Sequence, residues 1–403
     1  MPRESSMEDV LRNLLYYGDL SFRDFVELVL YHPEFGYYAT GLNPVGKRGD
    51  YITGPSLSPA FSFALSRLVR EFVSRCGGGV CSIVDIGCGD GGLIRSLATD
   101  VAEEGVRFFG VDRALERVEG GSSGFLGVPR RSSDEIDRKP RNSEEPEEPE
   151  EPRGTVRFVR TIDEVPNDVP ALLLSNELFD ALPFTRLVKR GEHLHELWVR
   201  ERDGGFDWSE HEAAPLYDDY FAERGIELAE GQFADLSLEW GALYDDIVAR
   251  FPRALVVTFD YGYPGEKLFH GRVRRFGTAA AYAGQRVSRD LLADPGRQDL
   301  TAHINFSDLE RAGERRGART LFFERMAKFL LAIGITEHPL FRPFEELIDE
   351  VPISGTEEGL QLLEERENAK RLILPDGMGH DLRVLVQGRG ISFENWSFQR
   401  SLF

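Results

Sequence analysis

The stretch VDIGCGDGGL, residues 84–93, decides the fold. With Cys81 to Ile83 before it, CSIVDIG reads as a buried strand, GCGDGG as a tight turn, and the chain from Leu93 as a helix. Gly87, Gly89 and Gly92 form a literal GxGxxG, a spacing shared by dinucleotide-binding and methyl-donor folds. Asp85, two positions before the first glycine, helps to separate the two. A carboxylate there opposes a pyrophosphate but helps hold the ammonium of S-adenosylmethionine, and Asp90 pushes the same way. The loop has no lysine, which excludes a phosphate-cradling P-loop. Asp112 closes the next strand, RFFGVD (107–112), roughly 20 residues on, where an acid accepts ribose hydroxyls in either class. The loop therefore predicts a nucleoside site. It favours a methyl donor and leaves an NAD-dependent oxidoreductase, or a merely structural glycine turn, as alternatives.

Working outward, VRFV (156–159), ALLLS (171–175) and RALVVTFDYG (253–262) read as further strands. Strands alternating with helices predict an α/β fold, a doubly wound and mostly parallel sheet covered on both faces. TRLVKR, HLHELWVRE and FDWSEH, between 185 and 211, read as added antiparallel strands, and Leu216 to Phe251 as largely helical. Two short helices are expected between Met7 and Leu30, with Ser21 as N-cap of the second. Others are expected at Ala60–Val73 and around Leu321–Leu331, and RLILPDGMGHDLRVLVQG (371–388) reads as a hairpin closing the far edge. SEEPEEPEEPRG (143–154) has neither the apolar area to collapse nor the freedom to form helix, so it is expected to be disordered.

These readings divide the chain into a helical extension with a cavity-lining loop (1–78) and a first core part (79–190) carrying an acidic insertion at about 119–154. Inserted strands and helices (191–252), a core strand (253–263), a substrate-side insertion (264–370) and a C-terminal hairpin and tail (371–403) follow.

The 403 residues carry a net charge of −21, which argues against binding a polyanion or an anionic membrane. The mean hydropathy of −0.32 is that of a water-soluble chain, and no stretch is apolar for long enough to span a bilayer. Cys76, Cys81 and Cys88 match no metal or disulfide spacing, and the acidic opening MPRESSMEDV resembles no targeting peptide. The sequence reading is thus a cytoplasmic protein with no metal site, no nucleic-acid partner and no membrane partner. Oligomeric state is not legible.

NELFDALP (176–183) follows the fourth strand, beside the expected switch in strand order, where open parallel sheets bind ligands. Asn176 and Glu177 are therefore expected near a donated methyl group. Glu177 and Asp180, with Asp260 at the end of the fifth strand, are candidates to grip a guanidinium and bias one nitrogen to lose its proton. The competing reading is that Asn176 or Asp180 caps a turn. His303 is a candidate proton acceptor, and Tyr37 and Tyr38 candidate mouth residues.

Several separated motifs agree with one family. LYHPEFGYY (30–38), GDYITGPSLSPAF (49–61), VDIGCGDGGL (84–93), SNELFDALP (175–183), TFDYG (258–262), PGRQDLTAHINF (295–306) and LPDGMGHDLRVL (374–385) occur in family order. On these motifs the chain resembles the MidA-like methyltransferases, whose mitochondrial members are protein arginine methyltransferases needed for respiratory complex I assembly. The resemblance implies a class I methyltransferase fold and S-adenosylmethionine held at Asp85, Gly87, Gly89 and Asp112, with Gly49, Asp50 and Thr53 flanking the same cavity. It also implies a protein arginine as acceptor, in a partner of the respiratory complex I subunit type. Three positions depart from the family pattern: Ser56 for glutamate, Gln285 for histidine and Asn305 for aspartate. These departures raise the alternative of a catalytically weakened binding or assembly protein. The NAD-dependent reading ranks last, because no hydride-transfer acid/base pair is evident.

Overall fold

The computed structural model describes residues 5–40, 54–77, 79–113, 154–284, 286–343, 357–392 and 394–399, and of residues 55, 56 and 358 the backbone alone. Its first strands are β1 Leu20–Ser21, β2 Cys81–Ile86, β3 Val106–Val111, β4 Val156–Val159 and β5 Ala171–Asn176. They are followed by β6 Thr185–Arg190, β7 His193–Arg202, β8 Gly205–Glu212, β9 Phe233–Leu236 and β10 Ala254–Tyr263. The last are β11 Ala280–Ala283, β12 Arg286–Ser288, β13 Asp299–Thr301, β14 Ile304–Asn305, β15 Arg319–Arg325 and β16 Leu382–Arg389. The N-terminal helices are α1 Met7–Leu15, α2 Phe22–Tyr31, the short α3 Gly54–Leu57, α4 Pro59–Arg75 and α5 Gly92–Asp100.

The main sheet runs β15-β16-β10-β5-β2-β3-β4, with β14 paired to the end of β10. β4, β3, β2, β5 and β10 are mutually parallel, while β16 is antiparallel to both of its neighbours. From β2 the chain winds outward to β3 and β4, then returns to place β5 on the other side of β2. That reversal opens a crevice at the carboxyl ends of β2 and β5. Register sets its floor: Asp85 lies opposite Leu174, and Asn176 opposite Phe259.

Strand period divides the core into two layers. Val84, Ile86, Leu173 and Val256 face α2 and the helix Glu239–Arg250, with Trp240 and Tyr244 filling the gap. Ile83, Leu172, Leu174, Val257 and Phe259 face α4, α5 and the helix Met326–Ala332. Each strand buries both faces, so it reads as a continuous apolar run.

β1, β7, β6 and β9, with β8 on β7, make a separate antiparallel sheet against α2, and β12-β11-β13 make a third. Ser21 caps α2 by accepting from Asp24 N–H at 3.1 Å. Two local readings are corrected. Arg319–Arg325 is strand β15, and the helix begins only at Met326. Residues 371–388 form no hairpin. Arg371 ends the helix Glu357–Arg371, and β16 pairs with β10 and β15 instead. The PDGMG turn folds so tightly onto that helix end that a Cβ on Gly377 would fall 2.0 Å from the Arg371 carbonyl oxygen. Of the segment 143–154 expected to be disordered, all but Gly154 lies outside the described residues. No helix among the described residues is long and apolar enough to cross a membrane.

Candidate active site

β2 ends in a loop that only glycine can follow. Gly87, Gly89 and Gly91 have φ of 74°, 57° and 76°, the left-handed region that strains residues with a Cβ. Gly91 stands at the N-cap of α5. The Gly87 and Cys88 N–H groups donate to the Val111 carbonyl at 2.8 and 3.1 Å, which anchors the loop to β3. The Gly89 N–H donates to the Asp112 carboxylate at 2.9 Å, and Gly92 N–H to Asp90 at 2.8 Å. A Cβ on Gly87 would sit 2.8 Å from Leu178 Cδ1, whereas one on Gly89 would meet nothing within 4 Å. The loop thus packs on one side and stays open on the other.

The open side faces a cavity of about 580 Å³. Opposite the glycine loop stands the turn Glu177–Ala181, held from several elements at once. Glu177 N–H donates to the Phe259 carbonyl at 2.9 Å, and Trp240 Nε1–H to the Phe179 carbonyl at 2.8 Å. Tyr31 Oη donates to the Ala181 carbonyl at 2.7 Å, and Ala302 N–H to the Asp180 carbonyl at 3.3 Å. Glu177 holds φ of 53°, uncommon for a residue with a side chain. Held this way, the turn presents Asn176, Glu177 and Asp180 to the cavity. Asn176 Nδ2 donates to Glu177 Oε1 at 3.0 Å, and Asn176 Oδ1 is buried with no partner among the described residues.

The cavity lining is acidic. Asp85, Asp90, Glu177, Asp180, Asp299 and Glu365 contribute, and no lysine or arginine does so among the described residues. Burial, then the charges of Asp112 and Asp90, push the Asp85 carboxyl up to about 7. Burial, then Asp180, push Glu177 up to about 8, against the hydrogen bonds from Asn176 and the Gly54 backbone. Burial and the neighbouring Asp260 and Asp299 raise Asp180. Such a cavity holds extra protons until a cation enters.

The structure brings most of the sequence-predicted residues together. Asp85, Gly87, Gly89, Asn176, Glu177, Asp180 and His303 all line the one cavity. Asp112 does not; its carboxylate steadies the loop by accepting from Gly89 N–H. Asp260 stands apart from the lining too. Fully buried, it accepts from Phe179 N–H at 2.9 Å and Tyr261 N–H at 2.8 Å, so it fixes the turn. His303 stacks near Tyr261 and Tyr263, with Nδ1 buried and unpartnered among the described residues. Burial, then Arg274 and Arg289, hold it down to about 4, so it is neutral and a weaker base than Glu177. Tyr37 is a core residue, whereas Tyr38 reaches the cavity. Gly49, Asp50, Thr53 and Gln285 lie outside the described residues, as does the side chain of Ser56.

Asn305 requires a correction. It is wholly buried away from the cavity, caps the helix Phe306–Arg315 by accepting from Ser307 N–H at 3.1 Å, and donates to Tyr220 Oη at 2.8 Å. Aspartate or asparagine serves such a cap, so its identity says nothing about an acceptor pocket. Sequence reasoning missed Asp299, 4% exposed, which lines the cavity and accepts from Tyr38 Oη at 2.9 Å. Its only signal was a place inside PGRQDLTAHINF; the sheet β12-β11-β13 carries it to the site.

These residues fit S-adenosylmethionine. The glycine loop leaves room at Gly89, Asp85 faces the cavity as a counter-charge for an ammonium, and Asn176 Oδ1 is an acceptor in want of a donor. Among the described residues, no three His, Cys, Asp or Glu side chains are grouped to hold a metal ion.

Residues 131–324 match the family model described as "Putative S-adenosyl-L-methionine-dependent methyltransferase". The chain is 25% identical over 346 residues to the mitochondrial protein arginine methyltransferase NDUFAF7 of Bos taurus, across 82% of this chain and 74% of that one. It is 23% identical over 392 residues to the Caenorhabditis elegans homolog, across 94% and 83%. A Burkholderia thailandensis protein solved bound to S-adenosyl-homocysteine aligns with a TM-score of 0.75 at 26% identity, across 97% of this chain and 94% of that one. The relatives are named as mitochondrial proteins, which overturns the expectation of a cytoplasmic location. None of these similarities supports the oxidoreductase alternative.

Proposed function

We propose that this chain is an S-adenosylmethionine-dependent methyltransferase that transfers the donor's methyl group to a guanidino nitrogen of a protein arginine. One observation carries the acceptor. Glu177, Asp180 and Asp299 line the same cavity as the glycine loop, with no basic side chain among its described lining residues to neutralise them. The relatives named as protein arginine methyltransferases support a protein substrate. The family resemblance makes a respiratory complex I type subunit the first protein to offer.

When bound, S-adenosylmethionine supplies an electrophilic methyl on a sulfonium. Asp85, the Gly87–Gly89 backbone and Asn176 would hold it. The protein's remaining work is to position a nitrogen and remove its proton. An arginine side chain has a pKa above about 12, so its nitrogens are poor nucleophiles while fully protonated. Carboxylates grip such a fork through paired charge-assisted hydrogen bonds. Asp180 and Asp299 would hold it, a reading supported by their place in the cavity lining and by the Tyr38 hydrogen bond to Asp299. Glu177, pushed up to about 8, takes the departing proton. The binding-only alternative loses one of its three supports, because Asn305 is a helix cap.

The test supplies methyl-labelled S-adenosylmethionine with cell extract and with a panel of arginine-containing proteins, followed by mass spectrometry of the labelled residue. Methylarginine is the expected product. Label confined to another residue type, or none at all from protein that binds the donor, would overturn the acceptor assignment.

A further inference from the structure

Beside the acidic cavity lies a region of opposite charge. Tyr261 lines the cavity, and Tyr263, two residues on along β10, points the same way. His303 joins them, its ring 6.2 Å from Tyr261 and 5.8 Å from Tyr263. Over the Tyr263 ring stand two guanidinium groups, Arg274 at 4.0 Å and Arg383 at 5.2 Å from its centre. Arg325 lies opposite Arg383 in the sheet register, and Arg289 hydrogen-bonds the Ala279 carbonyl at 2.8 Å.

Among the described residues no carboxylate forms an ion pair with Arg274, Arg289 or Arg383; Arg289 and Arg383 hydrogen-bond carbonyl oxygens, and Arg274 and Arg383 lay their flat faces on Tyr263. Glu324, paired with Lys328 at 2.9 Å, and the exposed Asp381 lie near Arg383, Asp290 follows Arg289 in the chain, and Asp235 is paired with Arg186 at 2.6 Å. Val273 and Phe276, 72% and 70% exposed, flank Arg274, so the rim offers apolar surface as well. Like charges gathered with no ion pair among the described residues, on a chain of net charge −21, run against its overall field.

We infer that this rim, Arg274 and Arg383 on Tyr263 with Arg289 beside them, is a specificity subsite that takes acidic side chains flanking the target arginine of the acceptor polypeptide. The inference rests on the acceptor reading above. An acidic cavity alone would draw in any arginine-rich segment. The rim rejects such segments by like-charge repulsion and rewards an arginine set among acids. It selects the chain, while the cavity selects the side chain.

The experiment titrates the full-length protein, with S-adenosylhomocysteine present, into fluorescein-labelled and C-terminally amidated peptides. Each peptide carries one arginine flanked by Glu, Gln or Lys, and anisotropy reports binding. The Glu-flanked peptide should bind about fivefold tighter than the Lys-flanked one, as expected for a few partly exposed ion pairs. Arg274→Glu should reverse that order and Arg274→Lys should keep it. Arg289→Glu, at an exposed position, gives the same reversal independently should Arg274→Glu lose S-adenosylhomocysteine binding through misfolding. Affinity indifferent to the flanks, or tighter binding of Lys flanks as net charge alone would give, overturns the subsite. Methyl transfer to the same peptides separates the two claims. Flank-dependent binding without methylarginine defeats the acceptor reading and keeps the rim. Methylarginine without flank dependence does the reverse.

Discussion

The glycine loop and the acidic wall face each other across one cavity, yet they are built on different principles. The loop is local: a strand, a turn and a helix consecutive in sequence, whose positive φ values require glycine at set positions. The wall is assembled from distant parts: Asn176, Glu177 and Asp180 from one turn, Asp299 from the third sheet, and Tyr38 from the N-terminal extension. They touch where Leu178 packs against the position a Gly87 Cβ would occupy. Apart from Asn176, which stands at the join, different residues line the loop side and the wall side, so one side can change while the other is kept.

The sharpest break in that comparison is Glu177→Gln. It should lower the transfer rate by about 10² or more, the usual worth of a general base, while calorimetry shows donor affinity little changed. Equal loss of binding and transfer would mean that the halves are not separable.

Gly87→Ala attacks the seam. Adopting φ of 74° strains a side-chain residue by about 1–2 kcal/mol, and the new Cβ meets Leu178 besides. Donor affinity should fall by about tenfold or more in the same calorimetric titration, and Gly87→Ala with Leu178→Ala should recover part of it.

Acidity sharpens the comparison next. Asp85 and Glu177 are raised from 3.8 and 4.5 to about 7 and about 8, so the ligand-free fold binds more protons than the unfolded chain between those limits. Their contribution is fully present below about pH 4 and is lost as pH rises through about 7 to 8. The melting temperature without donor should therefore fall across that window. Asp85→Asn should flatten the fall, and a slope unchanged in that variant would remove Asp85 as its source.

The smallest effect belongs to Asn305→Ala. Losing a helix cap should lower stability by about 1 kcal/mol in a denaturant titration and leave transfer within about twofold. A large loss of transfer would return Asn305 to the acceptor site.

How much of this was legible follows the same division. The parallel strands announced themselves as apolar runs, since each buries both faces. β15 and β16 were misread because their partners are remote. RLIL and LRVLVQ look like hairpin arms until the first proves to be a helix end, with Leu372 fully buried. In the site, Asp85, Asn176 and Glu177 were found because they end strands. Asp299 was missed because nothing local distinguishes its carboxylate from a solvated one. Asp260 was expected in the chemistry, and among the described residues its hydrogen bonds run to backbone N–H groups.

By itself, then, the sequence determined the class of fold and the glycine loop and favoured a methyl donor, because these depend on residues close together in the chain and on backbone angles that few residues tolerate. The tertiary structure alone decided which carboxylates face one another, which merely hold a turn, and that a basic rim adjoins an acidic cavity. Burial and charge neighbourhood arise only when segments hundreds of residues apart are packed together, and those two quantities set what a carboxylate can do.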